Sequence, residues 1–336
     1  MIKNLLKFQF DTVVHNKTAM FRICFILAIL VILSLLFTMF LGTGDNETGM
    51  DSKSIETEKK YYPENLEEAK EDLKTDTYEE LSGIDKQYSR YRDELYIAEL
   101  ELYIKTDTWE GDYYSLVSYF EAYYVPFNPA SRLLHWNFFS TMILFAFAAL
   151  FPLAFSGSKD RYKNLIILGN SKQDIAISEM IAQHIALILA WLVFLFVGSM
   201  VGIGSHKIMA IQYNNGNAIT ISVYAIYLLR QLLVLIASGF ILSFGIVINT
   251  LIKNKLISSL ISLSIFVIPM IALIWVSELA LSCYDGGLMA FPIFNLTFDE
   301  WIVGNYKLIG FIAIYLVLEV LLSIAKTRCA IKGYGF

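Results

Sequence analysis

The sequence predicts an all-α membrane protein with six membrane-spanning helices, both termini cytoplasmic, and a helical extracellular domain between the first and second spans. Three observations carry that prediction. Hydrophobic residues make up 56% of the 336-residue chain and charged residues only 17%, with a mean hydropathy of +0.55; soluble globular chains carry about 25% charged residues. The apolar residues gather in six blocks, near 21–42, 136–155, 178–204, 220–252, 256–281 and 307–325. Roughly 20 apolar residues cross a bilayer as a helix, the one open-ended structure that satisfies its own backbone in lipid. The charges are also unevenly spread: residues 43–130 hold 22 acidic and 9 basic residues, a net of −13, against +8 for the remainder.

Residues 1–20 intersperse Ile2, Leu5, Leu6, Phe8 and Val13 with Lys3, Lys7 and Lys17. That pattern suits an amphipathic helix lying on the inner leaflet. The first span, 21–42, has a long apolar core followed by Leu41-Gly42-Thr43-Gly44, a poor small-x-small cleavage site. It reads as an anchor and not as a removed signal peptide. Lys and Arg then fix orientation. Thirteen of them, including Lys3, Lys7, Lys159, Arg161, Lys163, Lys253 and Lys326, fall on one side, against Lys207 alone in the short loops near 205–219 and 282–306. Residues 43–135 therefore face outward.

Within that acidic segment Leu81, Ile84, Tyr88, Tyr91, Leu95, Ala98 and Leu102 recur at steps of three and four, a heptad seam. Leu66, Ala69 and Leu73 form a shorter stripe, and Thr75-Asp76-Thr77 stands between the two. A helical hairpin or small bundle is expected, its seam serving as internal core or as a contact with a second subunit. Trp109 to Trp136 is dense in Tyr and Phe, which suits the membrane–water boundary and also an aromatic ligand patch. The chain then runs through 136–325, spans two to six, and ends in a basic tail at 326–336.

Chemistry-bearing motifs are few. No G-x-x-x-x-G-K-[ST] occurs, and the four histidines form no H-E-x-x-H, so the chain has no P-loop for ATP. Cys24, Cys283 and Cys329 are too few and too far apart for a zinc or redox pattern. No basic stripe points to nucleic acid. Neither a catalytic residue nor a metal site nor a cofactor is expected in this chain. Charges inside spans are costly unless paired or hydrated. Arg230 and Glu278 both fall toward the outer half of their blocks; they can pair, snorkel to the boundary, or line a transport pathway. Glu319 lies about one and a half turns from the inner end of the sixth span, within sequence range of Lys326, while Glu179 and His184 read as inner-boundary residues. The loop 156–175 has a basic start, an apolar core at Leu165–Leu168, the glycine stop Gly169 and the capping residue Ser171. A short cytoplasmic helix is expected there.

Three features together resemble the permease subunits of ABC-2-type (type V) ABC transporters. They are the basic amphipathic lead Leu5-Leu6-Lys7-Phe8, the loop Asp160-Arg161-Tyr162-Lys163-Asn164-Leu165 through Leu168-Gly169-Asn170-Ser171-Lys172-Gln173-Asp174-Ile175, and six spans closing on Ala325-Lys326-Thr327-Arg328. The insertion between spans one and two is similar to that of members with an outer domain, some of them linked to export of, or immunity against, antimicrobial peptides. The resemblance implies two permease chains, identical or homologous, in a bacterial cell membrane. It also implies a separate ATPase dimer docking on the loop, with Arg161, Tyr162, Lys163, Leu165, Leu168, Ser171, Lys172 and Asp174 as the coupling residues. ATP hydrolysis then belongs to the partner, and membrane lipids surround the spans. A sensor or scaffold whose outer helical domain binds a ligand is the competing reading, and would call for a cytoplasmic output element.

Overall fold

The computed structural model describes residues 2–15, 28–29, 31–32, 36, 52–74, 83–109, 113–114, 129–155, 159–214, 217–252, 254, 257–265 and 307–331. These residues are mostly helical. The helices are α1 (Ile2–His15), α2 (Ser52–Lys74), α3 (Gly83–Thr106), α4 (Pro129–Phe155), α5 (Lys159–Ile167), α6 (Lys172–Val201), α7 (Val223–Leu251) and α8 (Lys307–Ile331). Two of them, α6 and α7, are long and apolar enough to cross a membrane, and α4 holds a shorter apolar stretch, Phe139–Pro152. Most of the first apolar block, 21–42, and much of the fifth, 256–281, lie outside the described residues.

The bundle is organised around α7, with α4 and α8 packed on it and α6 touching all three. Its core joins Trp136, Phe145 and Ala148 of α4, Phe194 of α6, Tyr227, Val234 and Ile241 of α7, and Tyr315 of α8. Small residues let the backbones close in. A Cβ on Gly198 would collide with the Tyr227 hydroxyl and the Trp136 ring, and one on Gly202 would come within 2.7 Å of Leu133. The Trp136 Nε1–H donates to the Phe194 carbonyl at 3.1 Å and the Tyr227 hydroxyl to the Leu195 carbonyl at 3.2 Å, so both buried rings have partners for their polar ends. The outward faces are apolar as well: Leu189, Phe196, Val317, Val320 and Leu321 are each more than half exposed.

The expected helical hairpin is present as α2 packed on α3. Part of the heptad seam is inward, with Leu95 and Ala98 buried and Leu102 half-buried, while Leu81 falls outside the described residues. A neighbouring stripe is buried too: Leu100 and Tyr103 cluster with Tyr62 of α2 and Ile211. The exposed pairs Lys59–Asp107 (3.3 Å) and Lys70–Glu101 (2.5 Å) flank that contact. The Trp109 indole N–H donates to Glu58 at 2.8 Å.

The all-α expectation is corrected at 205–219, read from sequence as a plain loop. After a short 3-10 turn, Ser205–Lys207, strands β2 (Met209–Asn214) and β3 (Asn217–Ser222) form an antiparallel pair, and β1 (Tyr113–Tyr114) joins β2 in parallel. Successive residues of a strand point to opposite faces, and in β2 the adjacent Ala210 and Ile211 are both buried, so both faces of the strand are covered there. Ala210 packs with Val223 and Ile226 of α7, and Ile211 packs under the helical hairpin. The sheet is thus the seat that joins the α2–α3 hairpin to the bundle.

Candidate functional site

The loop expected at 156–175 folds as α5, a turn, and the start of α6. Gly169 stops α5 in a left-handed conformation (φ 84°), which a glycine adopts without Cβ strain. The Gly169 and Asn170 amides donate to the Ile166 and Leu165 carbonyls, and the Asn170 side-chain amide donates to Leu165 as well. Ser171 caps α6: its oxygen accepts from the Asp174 amide at 3.0 Å, and its hydroxyl donates to the Asp174 carboxylate at 2.5 Å. That reciprocal arrangement is a variant of the capping box, and Asp174 also meets the positive end of the helix.

Leu165 is buried against Leu5 of α1 and Ile175 of α6, which pins α5 to the bundle. Past that anchor the surface turns apolar and bare: Ile167 is 80% and Leu168 74% exposed. Lys163 is exposed and Lys172 half-buried, with Arg161 and Tyr162 in α5 beside them. Of the eight loop residues singled out from sequence, Arg161, Tyr162, Lys163 and Leu165 lie in α5, Leu168 in the turn after it, and Ser171, Lys172 and Asp174 at the start of α6.

The Arg230–Glu278 pair is not brought together in the described residues. Arg230 is buried on α7 at 1% exposure, and Glu278 lies outside them. One layer away, Gln231 donates to Asn137 of α4 at 2.8 Å, and the Trp191 indole N–H donates to the Gln231 carbonyl.

Two polar layers between α6, α7 and α8 were not legible as layers in the sequence. In the first, His184 Nε2 lies 2.9 Å from Glu319 Oε1 and 3.1 Å from Ser243 Oγ, while Nδ1 donates to the Met180 carbonyl at 2.8 Å. In the second, Lys326 donates to Thr250 at 2.8 Å and sits 3.9 Å from Glu179. Each layer takes one residue from each helix. Ser243–Thr250 and Glu319–Lys326 are both seven residues apart, which is about 10 Å along a helix. The approach of Glu319 to Lys326 suggested by sequence is therefore replaced by two cross-helix pairs. Seven residues is close to two full turns, so the two share a face but stand too far apart axially to meet. Gly239 faces Glu319, where an added Cβ would come within 3.4 Å of its carboxylate.

Glu319 also opens onto a groove of about 740 Å³ between α6 and α8, walled by Ile177, Met180, Leu316 and Val320 and reaching Arg328. No protein-family model, curated protein or solved structure matches the chain.

Proposed function

We propose that this chain is the permease subunit of an ATP-driven ABC transporter in a bacterial cell membrane, crossing it six times, with an outer helical domain between the first two spans. Two permease chains, identical or homologous, would form the pathway, and an ATPase dimer would dock from the cytoplasm on α5. The cargo class is peptides or amphipathic compounds, exported or cleared as a resistance function. The observation that best supports this reading is α5 itself. It is a short helix anchored through Leu165 to α1 and α6, and it presents Ile167 and Leu168 almost bare at its tip. A protruding apolar knob beside basic residues suits a protein partner, because burying those side chains is favourable and the charges orient the encounter. Rigid attachment to α6 supplies the lever: force on α5 is passed to a helix long enough to span the bilayer. The chain has no P-loop, so nucleotide chemistry falls to that partner.

The test is purification of the chain from its native membrane in mild detergent, with mass spectrometry of what accompanies it. A P-loop ATPase in comparable amount is expected. Charge reversal at Arg161 and Lys163, or deletion of 163–170, should release the ATPase while leaving insertion intact. A chain that emerges alone, or an ATPase that stays bound to both variants, would refute the docking role.

A further inference from the structure

We propose that the groove between α6 and α8 binds a lipophilic organic cation, which Glu319 accepts in exchange for the proton it shares with His184. This deepens the transport reading and rests on it for the cation's role as cargo. The argument begins with the imidazole. The Met180 carbonyl can only accept, so Nδ1 carries a hydrogen. Nε2 then faces the Glu319 carboxyl at 2.9 Å, a distance two bare lone pairs do not adopt. A proton therefore sits between Nε2 and Oε1, and the pair is neutral overall whichever atom holds it.

That proton can be replaced. An arriving cation takes the carboxylate, the proton leaves for water, and the imidazole remains neutral with Nε2 bare. Ser243 Oγ, 3.1 Å away, can turn its hydroxyl to donate to that lone pair. Charge balances at each stage, so no net charge enters an apolar bundle where an unpaired one is costly. The groove suits the organic part of such a ligand: at about 740 Å³ with Ile177, Met180, Leu316 and Val320 in its walls, it is within the size range of small-molecule sites. Arg328 lines the far end of the groove, nine residues beyond Glu319 and about 13 Å along α8, so an anion seated at the Glu319 end would meet the repulsion of that carboxylate.

Other charges on the surrounding elements stand apart. Lys326 of α8 is held by Thr250 and Glu179 in the next layer. Arg230 of α7 lies thirteen residues from Ser243, about 20 Å along the axis. Arg132 of α4 adjoins Leu133, which packs at Gly202 at the far end of α6. Lys7 and Asp11 belong to α1, whose Leu5 meets Ile175, nine residues before His184.

The experiment uses the full chain in lipid nanodiscs, without ATPase or nucleotide, and two ions of one shape: tetraphenylphosphonium and tetraphenylborate. Equilibrium dialysis at about pH 8 and about pH 5.5 brackets imidazole titration. Saturable phosphonium binding is expected, at least about tenfold tighter at the higher pH, with close to one proton released per cation in weak buffer at the lower pH and no saturable borate binding. Glu319→Gln should abolish it, while His184→Gln should bind the cation with the pH dependence gone. Equal binding of both ions, or phosphonium binding indifferent to pH in the wild-type chain, would overturn the assignment even if the variants fail to fold. Because no ATPase takes part, loss of the docking reading and loss of this site would register in separate experiments.

Discussion

At the scale of single residues, close approach decides more than charge. Gly198 is where α4, α6 and α7 converge, and the Trp136 and Tyr227 rings occupy the space a Cβ would need. Gly198→Ala should therefore destabilise the bundle despite its better helix propensity. Overpacking of this kind costs about 1–3 kcal/mol, and thermal unfolding in detergent would register it as a lowered midpoint. An unchanged midpoint would mean the two rings give way freely. Ser171→Ala should remove a cap worth about 1 kcal/mol and loosen the α5–α6 turn, seen as faster amide exchange at 171–175. The cap was legible in the sequence because its signals are local: a glycine, a serine, then an acidic residue three positions on. The His184–Glu319 pair was not. Its members are separated by most of the bundle's sequence, and nothing local tells Glu319 to turn toward α6 and not along its own helix toward Lys326.

Among the elements, the α2–α3 hairpin and its sheet show which contacts carry weight. Tyr103 is buried between Tyr62 and Tyr113, its ring centroid 5.6 Å and 5.8 Å from theirs. Tyr103→Ala should undock the hairpin, at about 3 kcal/mol for a buried aromatic, and expose α2 to limited proteolysis. Lys70→Ala, which breaks an exposed ion pair, should change stability by less than about 1 kcal/mol. Comparable protease resistance in the two variants would show that the tyrosine cluster is not what seats the hairpin. Helices here were readable because their apolar stripes repeat over many turns. The strands were missed although Asn215-Gly216, a strong hairpin signal between alternating residues, stands in the sequence. The stretch between two apolar blocks reads as a connecting loop, and strands of six residues fit within a loop of that length.

For the whole molecule, the proposed topology puts α5 and the α2–α3 hairpin on opposite faces of the membrane. In a chain without its native cysteines, Lys59→Cys should react in intact cells with an impermeant maleimide. Lys163→Cys should react only after permeabilisation. Labelling of both in intact cells would reject the arrangement. Composition made the apolar character plain, and two of the apolar blocks fold as helices long enough to span, α6 and α7. How the helices touch came only from the fold, because contact between α6 and α8 depends on side-chain shape across distant stretches.

The parallel pairing of β1 with β2 sets an order of events during synthesis. Tyr113 pairs with Met209 across nearly a hundred positions, so the outer hairpin's seat does not exist when the hairpin itself emerges from the ribosome. Both α4 and α6 must be made before β2 appears, and pairing of such high contact order is slow. Until then the hairpin surface that Ile211 will cover stays open, which leaves a window in which a chaperone, a protease or a second nascent copy meets it first.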